Sequence, residues 1–234
     1  MKTVQHSIDL ENESGAHFEV ERGSQVHRFG RSERFLHWWI VSMYSVALLT
    51  GVAMGDEAES GSLLRSHIAA VLLIGAGIVV VLIFGDTMAV LRSAKDLFII
   101  DRTDVKWFAR ELTHPLSREH FPWGKFNIGQ KLLAWSLVGA LAGLIVTGVQ
   151  SWHSGGDSSG PHSVAVVISL VLLGSHVFMA LLNPSTRPAL PGMIFGHVRR
   201  SWAEKHHGGW LAAQDAKDQR MAHRSRTHEG TRRS

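Results

Sequence analysis

The chain has 234 residues, 45% of them hydrophobic, and a formal net charge of +4 at pH 7. With no cysteine, it can form no disulfide, hold no cysteine-ligated iron–sulfur cluster and carry no c-type haem attached through C-x-x-C-H. No DNA- or RNA-binding motif accompanies the basic residues, so the excess charge suits anionic lipid or a protein partner rather than nucleic acid.

Residues 1–30 are a polar N-terminal extension of mixed charge, expected to be poorly ordered or docked on a partner. "RFGRSERFLHWW" then brings arginines followed by aromatics suited to the headgroup level. Four apolar blocks follow at about 36–54, 66–84, 132–152 and 162–182, and none contains Asp, Glu, Lys or Arg. Each is long enough to cross a bilayer core. The first lies behind polar sequence with no small-residue cleavage pattern, so it is expected to be a span and not a cleaved signal. The expected fold is all-α: an integral membrane four-helix bundle over residues 31–184. Between the second and third spans, "DLFIIDRTDVKWFARELTHP" is amphipathic in places and predicts an interfacial helix. Residues 185–213 read as a cytoplasmic surface helix region, and 214–234 as a charged tail without regular structure. Neither an internal repeat nor a soluble second domain is evident.

Orientation follows from the 24 Lys and Arg residues: five precede the first span, eight lie between the second and third, and ten follow the fourth. Only Arg65 falls in the other two loops, which hold Asp56, Glu57, Glu59 and Asp157. The positive-inside rule therefore predicts that both termini and the long central loop are cytoplasmic.

Four of the fifteen histidines sit at or within spans: His37, His67, His162 and His176. With this topology His67 and His162 share the outer level, and His37 and His176 the inner one. His162 and His176 are fourteen residues apart, which is roughly 21 Å and nearly four full turns, so they face the same way. Two imidazoles per level, from different helices, is what bis-histidine ligation of two stacked b-type haems requires. Ionisable groups within spans are functional candidates in any case. A proton relay is the alternative use of such histidines.

Small residues at Gly75, Gly77, Gly139, Gly143 and Gly148 offer room for a flat macrocycle, or serve helix packing, since Gly139 and Gly143 form G-x-x-x-G. Arg65 and the cluster Arg28, Arg31 and Arg34 are topology determinants that could also meet haem propionates. At the start of the third span, "GKFNIGQKLLAW" carries Asn127 and Gln130 three residues apart on one face. Two readings stand side by side: amide donors to a quinone headgroup, or an N-cap at Asn127.

Four features then match a known family: the "ERFLHWW" opening, "KFNIGQK" leading into "WS…VTGV…W", the His162–His176 spacing, and "GMIFGHVRRSWAEKHHGGW" after the last span. Over roughly Arg31 to Gln214 the chain resembles the membrane cytochrome b (gamma) subunit of respiratory formate dehydrogenases. The resemblance implies that His67 and His162 bind the outer haem b and His37 and His176 the inner one. It also implies a quinone site, for menaquinone or ubiquinone as electron acceptor, beside the inner haem at Asn127, Gly129 and Gln130. The implied partners are an iron–sulfur electron-transfer subunit and a molybdenum- or tungsten-dependent catalytic subunit, at a bacterial inner membrane. Formate oxidation would then occur on another chain. Phe126 departs from the family, which often has Tyr there, and the N-terminal extension is longer than expected. The rival readings are a cytochrome b subunit of a hydrogenase or sulfur-compound reductase, a passive anchor, and a haem-free transporter or proton relay.

Overall fold

The computed structural model describes residues 24–54, 61–113, 123–154 and 160–232. In chain order its elements are β1 (Gln25–His27), α1 (Arg31–Met54), α2 (Gly61–Phe84), α3 (Thr87–Phe98), α4 (Arg102–Thr113), α5 (Ile128–His153), α6 (Pro161–Val177), α7 (Leu190–Ile194), β2 (His197–Arg199) and α8 (Arg200–Arg232). They divide into two compact units, each assembled from segments distant in the chain.

One unit comprises Phe29–Ile100 and Phe126–Arg187 and holds the four long apolar helices. α6 runs on through a π-helical turn, Phe178–Leu182, which begins two residues after His176. With that turn included, each helix has 22 to 26 residues, enough to cross a bilayer. Their outward faces are apolar and open, with Val52, Leu72 and Phe84 at 69%, 70% and 82% exposure. Such surface suits hydrocarbon and not water. α1 and α2 begin five residues before the uncharged blocks do, because the charged residues Arg31, Glu33, Arg34 and Arg65 already lie in their first turns. Helical hydrogen bonding does not stop where apolar composition stops.

The helices pack in two pairs, α1 with α2 and α5 with α6. Trp39 joins the first pair. Its Nε1–H donates to the Leu73 carbonyl at 2.7 Å, and its ring lies directly against Gly77, where any Cβ would collide with it. Gly77 thus makes room for an indole. Gly75, Gly139 and Gly143 have no atom within 4 Å of a would-be Cβ.

α3 is an amphipathic helix that touches α1, α2 and α5. Its start is fixed by Asp86, which accepts from Ala89 N–H at 2.9 Å and whose own N–H donates to Ser32 Oγ at 2.8 Å. At its C-terminal end, Lys131 Nζ donates to Ile99 O at 3.0 Å and Trp135 Nε1–H to Leu97 O at 3.2 Å. These donors satisfy carbonyls that a helix end leaves unpaired.

The other unit comprises Met1–Arg28, Asp101–Lys125 and Pro188–Ser234. β1 and β2 pair antiparallel with Val26 opposite Val198. The turn before β2 needs Gly196 at φ 93°, a conformation that favours glycine. Val26, Val198, Trp202, Ala203 and Leu211 form a small core. α4 opens with Asp101 Oδ1 accepting from the backbone of Thr103 and Asp104.

Three expectations change here. The N-terminal extension is not simply a polar arm, since Gln25–His27 form a strand and Arg28 and Phe29 are buried; residues 1–23 lie outside the described residues, as do the acidic loop residues 56, 57, 59 and 157. The amphipathic loop holds two short helices, α3 and α4, instead of one. The segment expected to lack regular structure from 214 onward is helical to Arg232. Its low apolar content was the misleading signal: Ala, Gln, Lys, Arg and Met favour a helix without favouring a core.

Candidate functional site

The four span histidines meet in two pairs within the membrane unit. The ring centroids of His67 and His162 are 6.4 Å apart, with planes at 82°. Those of His37 and His176 are 6.1 Å apart, with planes at 55°. Two imidazole nitrogens bound to one first-row metal at about 2 Å each put the ring centroids roughly 6 Å apart. Both pairs have the spacing for an iron between them. Among the described residues, no group of three or more His, Asp or Glu could hold a bare metal ion.

The imidazoles of the His67–His162 pair are oriented by their neighbours. His67 Nδ1 lies 2.8 Å from the Ala47 carbonyl. A carbonyl only accepts, so Nδ1 carries the proton and Nε2 keeps its lone pair. His162 Nδ1 lies 3.0 Å from Thr147 Oγ1, whose own proton goes to the Gly143 carbonyl at 2.7 Å. The hydroxyl therefore accepts from His162, and again Nε2 is left with its lone pair. A metal-binding histidine is held in this way, by an acceptor on its other nitrogen.

Each ring of this pair also rests against a glycine of its partner helix. A Cβ on Gly51 would lie 3.4 Å from His67, and one on Gly148 would lie 3.3 Å from His162. The supporting stretches are Thr50–Gly51–Val52 on α1 and Thr147–Gly148–Val149 on α5. The same tripeptide thus recurs in the helix that precedes His67 and in the helix that precedes His162, although no internal repeat is expected from the sequence as a whole. That recurrence was the signal for Gly51 and Thr147. His37 lies near the start of α1 and His176 near the end of α6, with His37 edge-on to Trp38 at 5.3 Å between centroids.

Asn127 and Gln130 close a capping box at the start of α5. Asn127 Oδ1 accepts Gln130 N–H at 2.9 Å and Gln130 Oε1 accepts Asn127 N–H at 3.1 Å. The N-cap reading is therefore correct for both side-chain oxygens. The box does not use the two NH2 groups. Gly129 lies within the same turn, its would-be Cβ 3.4 Å from Asn127 Oδ1.

The arginines divide. Arg34 and Arg65 donate to the carbonyls of Gly30 and Gly61, one turn earlier on their own helices. Arg28 is instead buried in the other unit. Its Nη2 donates to Lys125 O at 2.7 Å and lies 3.3 Å from His207 Nε2, while its guanidinium stacks 4.9 Å from the Trp202 ring centroid and 5.6 Å from that of Trp210. A guanidinium only donates, so His207 Nε2 accepts and its Nδ1–H donates to Gly124 O at 2.8 Å. Burial, with the Arg28 cation second, pushes His207 down to about 3, and burial lowers Arg28 to about 10. His207 also breaks α8, with φ −144° and ψ 42°.

Comparison with known proteins agrees with this architecture. The chain is 26% identical over 214 residues to the nitrate-inducible formate dehydrogenase cytochrome b556(Fdn) subunit of Escherichia coli K12, an alignment covering 82% of this chain and 92% of that protein. It is 28% identical over 209 residues to the formate dehydrogenase cytochrome b556 subunit of Haemophilus influenzae, covering 82% and 84%. The E. coli K12 cytochrome b556(fdo) subunit is 30% identical over 122 residues, covering 48% and 56%. The family model described as prokaryotic cytochrome b561 matches residues 28–196. That match takes in all four spans and all four paired histidines, and the chain belongs to the prokaryotic cytochrome b561 family.

Proposed function

We propose that this chain is the dihaem cytochrome b membrane subunit of a formate dehydrogenase complex, passing electrons from an iron–sulfur partner subunit to membrane quinone. Its catalytic partner would be a molybdenum- or tungsten-dependent subunit, and both of its termini would face the cytoplasm of a bacterial inner membrane. The observation that carries the reading is the repeated pairing of histidines, at 6.4 and 6.1 Å between ring centroids, at two levels of one apolar bundle.

Haem b supplies one-electron redox chemistry when bound. The protein's part is done by named residues. His67 with His162, and His37 with His176, would furnish axial nitrogens. The Ala47 carbonyl and the Thr147 hydroxyl hold the outer imidazoles in the tautomer that exposes Nε2. The apolar helices keep water from both levels. Asn127 and Gln130 would direct their NH2 groups at the carbonyl oxygens of a quinone, with Gly129 allowing close backbone approach.

The test is a reduced-minus-oxidised spectrum with a pyridine haemochrome assay on purified protein. About two protohaems per chain are expected, one for each histidine pair, with one lost in His67→Ala and one in His37→Ala. A folded protein without haem absorbance overturns the reading and returns the histidines to proton relay.

A further inference from the structure

Halfway between the two histidine levels, Tyr44 of α1 and Ser169 of α6 meet oxygen to oxygen at 2.7 Å. Their places in the chain are regular. Tyr44 is seven residues after His37 and seven before Gly51, which supports His67; Ser169 is seven residues after His162 and seven before His176. Seven residues are about 10 Å of helix and within roughly 20° of two full turns. Both side chains therefore lie on the same helix faces as the histidines, midway between the levels.

The direction of the bond is settled by the serine's single proton. Ser169 Oγ donates to the Val166 carbonyl at 2.8 Å, so Tyr44 O–H is the donor to Ser169. Ser169 is 4% exposed in a unit where most side chains face outward. The bond joins the α1–α2 pair to the α5–α6 pair, and a hydrogen bond in this low-dielectric setting has no water to replace it.

We propose that the Tyr44–Ser169 bond is a midplane strut that sets the register of the two histidine levels and places the Tyr44 phenol between the two haem sites, a positioning pair for electron transfer between them. The inference rests on the dihaem reading above. Both residues act through the helices that carry His37, His162 and His176.

The experiment uses the purified full chain with its haems. Tyr44→Phe keeps the ring and removes the donor, Ser169→Ala removes the acceptor, and Ser169→Thr keeps it. Low-temperature EPR of the oxidised haems reads axial-ligand orientation, and redox titration reads the two midpoint potentials. With haem content unchanged at about two per chain, Tyr44→Phe and Ser169→Ala should shift the signals of both haems and slow electron redistribution between them severalfold, and Ser169→Thr should restore them. Unaltered EPR signals, potentials and redistribution in both variants overturn the inference while leaving the dihaem reading intact. Absence of haem from the unmodified protein overturns that reading, and the inference falls with it. A merely stabilising contact would lower the melting temperature and leave the spectra in place, which also counts against the proposal.

Discussion

His162 Nδ1 donates to Thr147 Oγ1 at 3.0 Å because the threonine's own proton is already committed to the carbonyl of Gly143. The hydroxyl is thus a one-way acceptor, and it leaves the proton of His162 on Nδ1. Removing an acceptor of this kind commonly weakens metal affinity by about 10- to 100-fold. Thr147→Val, which keeps the shape, should lose haem from the His67–His162 level by that order while the His37–His176 level stays loaded. Thr147→Ser should retain both. Haem titration of the purified variants, followed by absorbance, decides it; equal loss from both levels would show that Thr147 serves general packing.

Gly77 and Gly75 lie two residues apart on α2 but face different surroundings. The Trp39 indole occupies the space over Gly77, and nothing lies within 4 Å over Gly75. Gly77→Ala must displace a rigid ring and break its bond to Leu73 O, an overpacking cost of about 1–3 kcal/mol. Gly75→Ala meets no protein atom and should gain helix propensity worth up to about 1 kcal/mol. Thermal unfolding in detergent should therefore separate the two substitutions in sign.

How much of this was legible beforehand depends on the distance over which each feature is encoded. The four spans and the common face of His162 and His176 are properties of one helix each, so composition and the 3.6-residue period suffice. The pairing of His67 with His162 followed from topology alone. Thr50–Gly51 and Thr147–Gly148 carry a visible repetition, but three residues are too few to stand out until the facing histidines are seen. The bond between Arg28 and His207 spans 179 positions. Nothing local marks Arg28 as buried, and in sequence it looks like one more interfacial arginine. α8 was missed beyond residue 213 for the opposite reason: its local propensity is helical, and apolar content was the wrong measure.

Asn127 invites a substitution that separates its two roles. Its side-chain oxygen caps α5, whereas a quinone carbonyl would need its NH2 group. Asn127→Ala removes both and should cost about 1 kcal/mol of stability. Asn127→Asp keeps a good N-cap and places a negative charge where the helix dipole favours it. The aspartate variant should therefore melt like the unmodified protein yet show a raised KM for quinone. A normal KM in the aspartate variant would confine Asn127 to capping.

His207 links the folded state to pH. Its pKa falls from 6.5 to about 3, chiefly through burial and then through the Arg28 cation, with His206 adding a smaller push and the Gly124 carbonyl opposing. Above pH 6.5 the imidazole is neutral in both folded and unfolded chains, and the arrangement has its full stability. Below pH 6.5 the unfolded chain takes up a proton that the folded one refuses. Stability is then lost as pH falls, at about 1.4 kcal/mol per pH unit, until about pH 3. Carboxylates titrate in the lower part of this window, so the informative quantity is a difference in slope. His207→Gln leaves an uncharged amide that can still donate to Gly124 O, and it should start less stable at pH 7.5 because the amide fits the Arg28 and Trp202 surfaces less well. Its melting temperature should then fall less steeply than that of the unmodified protein between pH 6.5 and 4.5. Parallel slopes would mean that His207 is protonated in the folded protein, and the neutral tautomer assigned from its bonds to Arg28 and Gly124 would have to be abandoned.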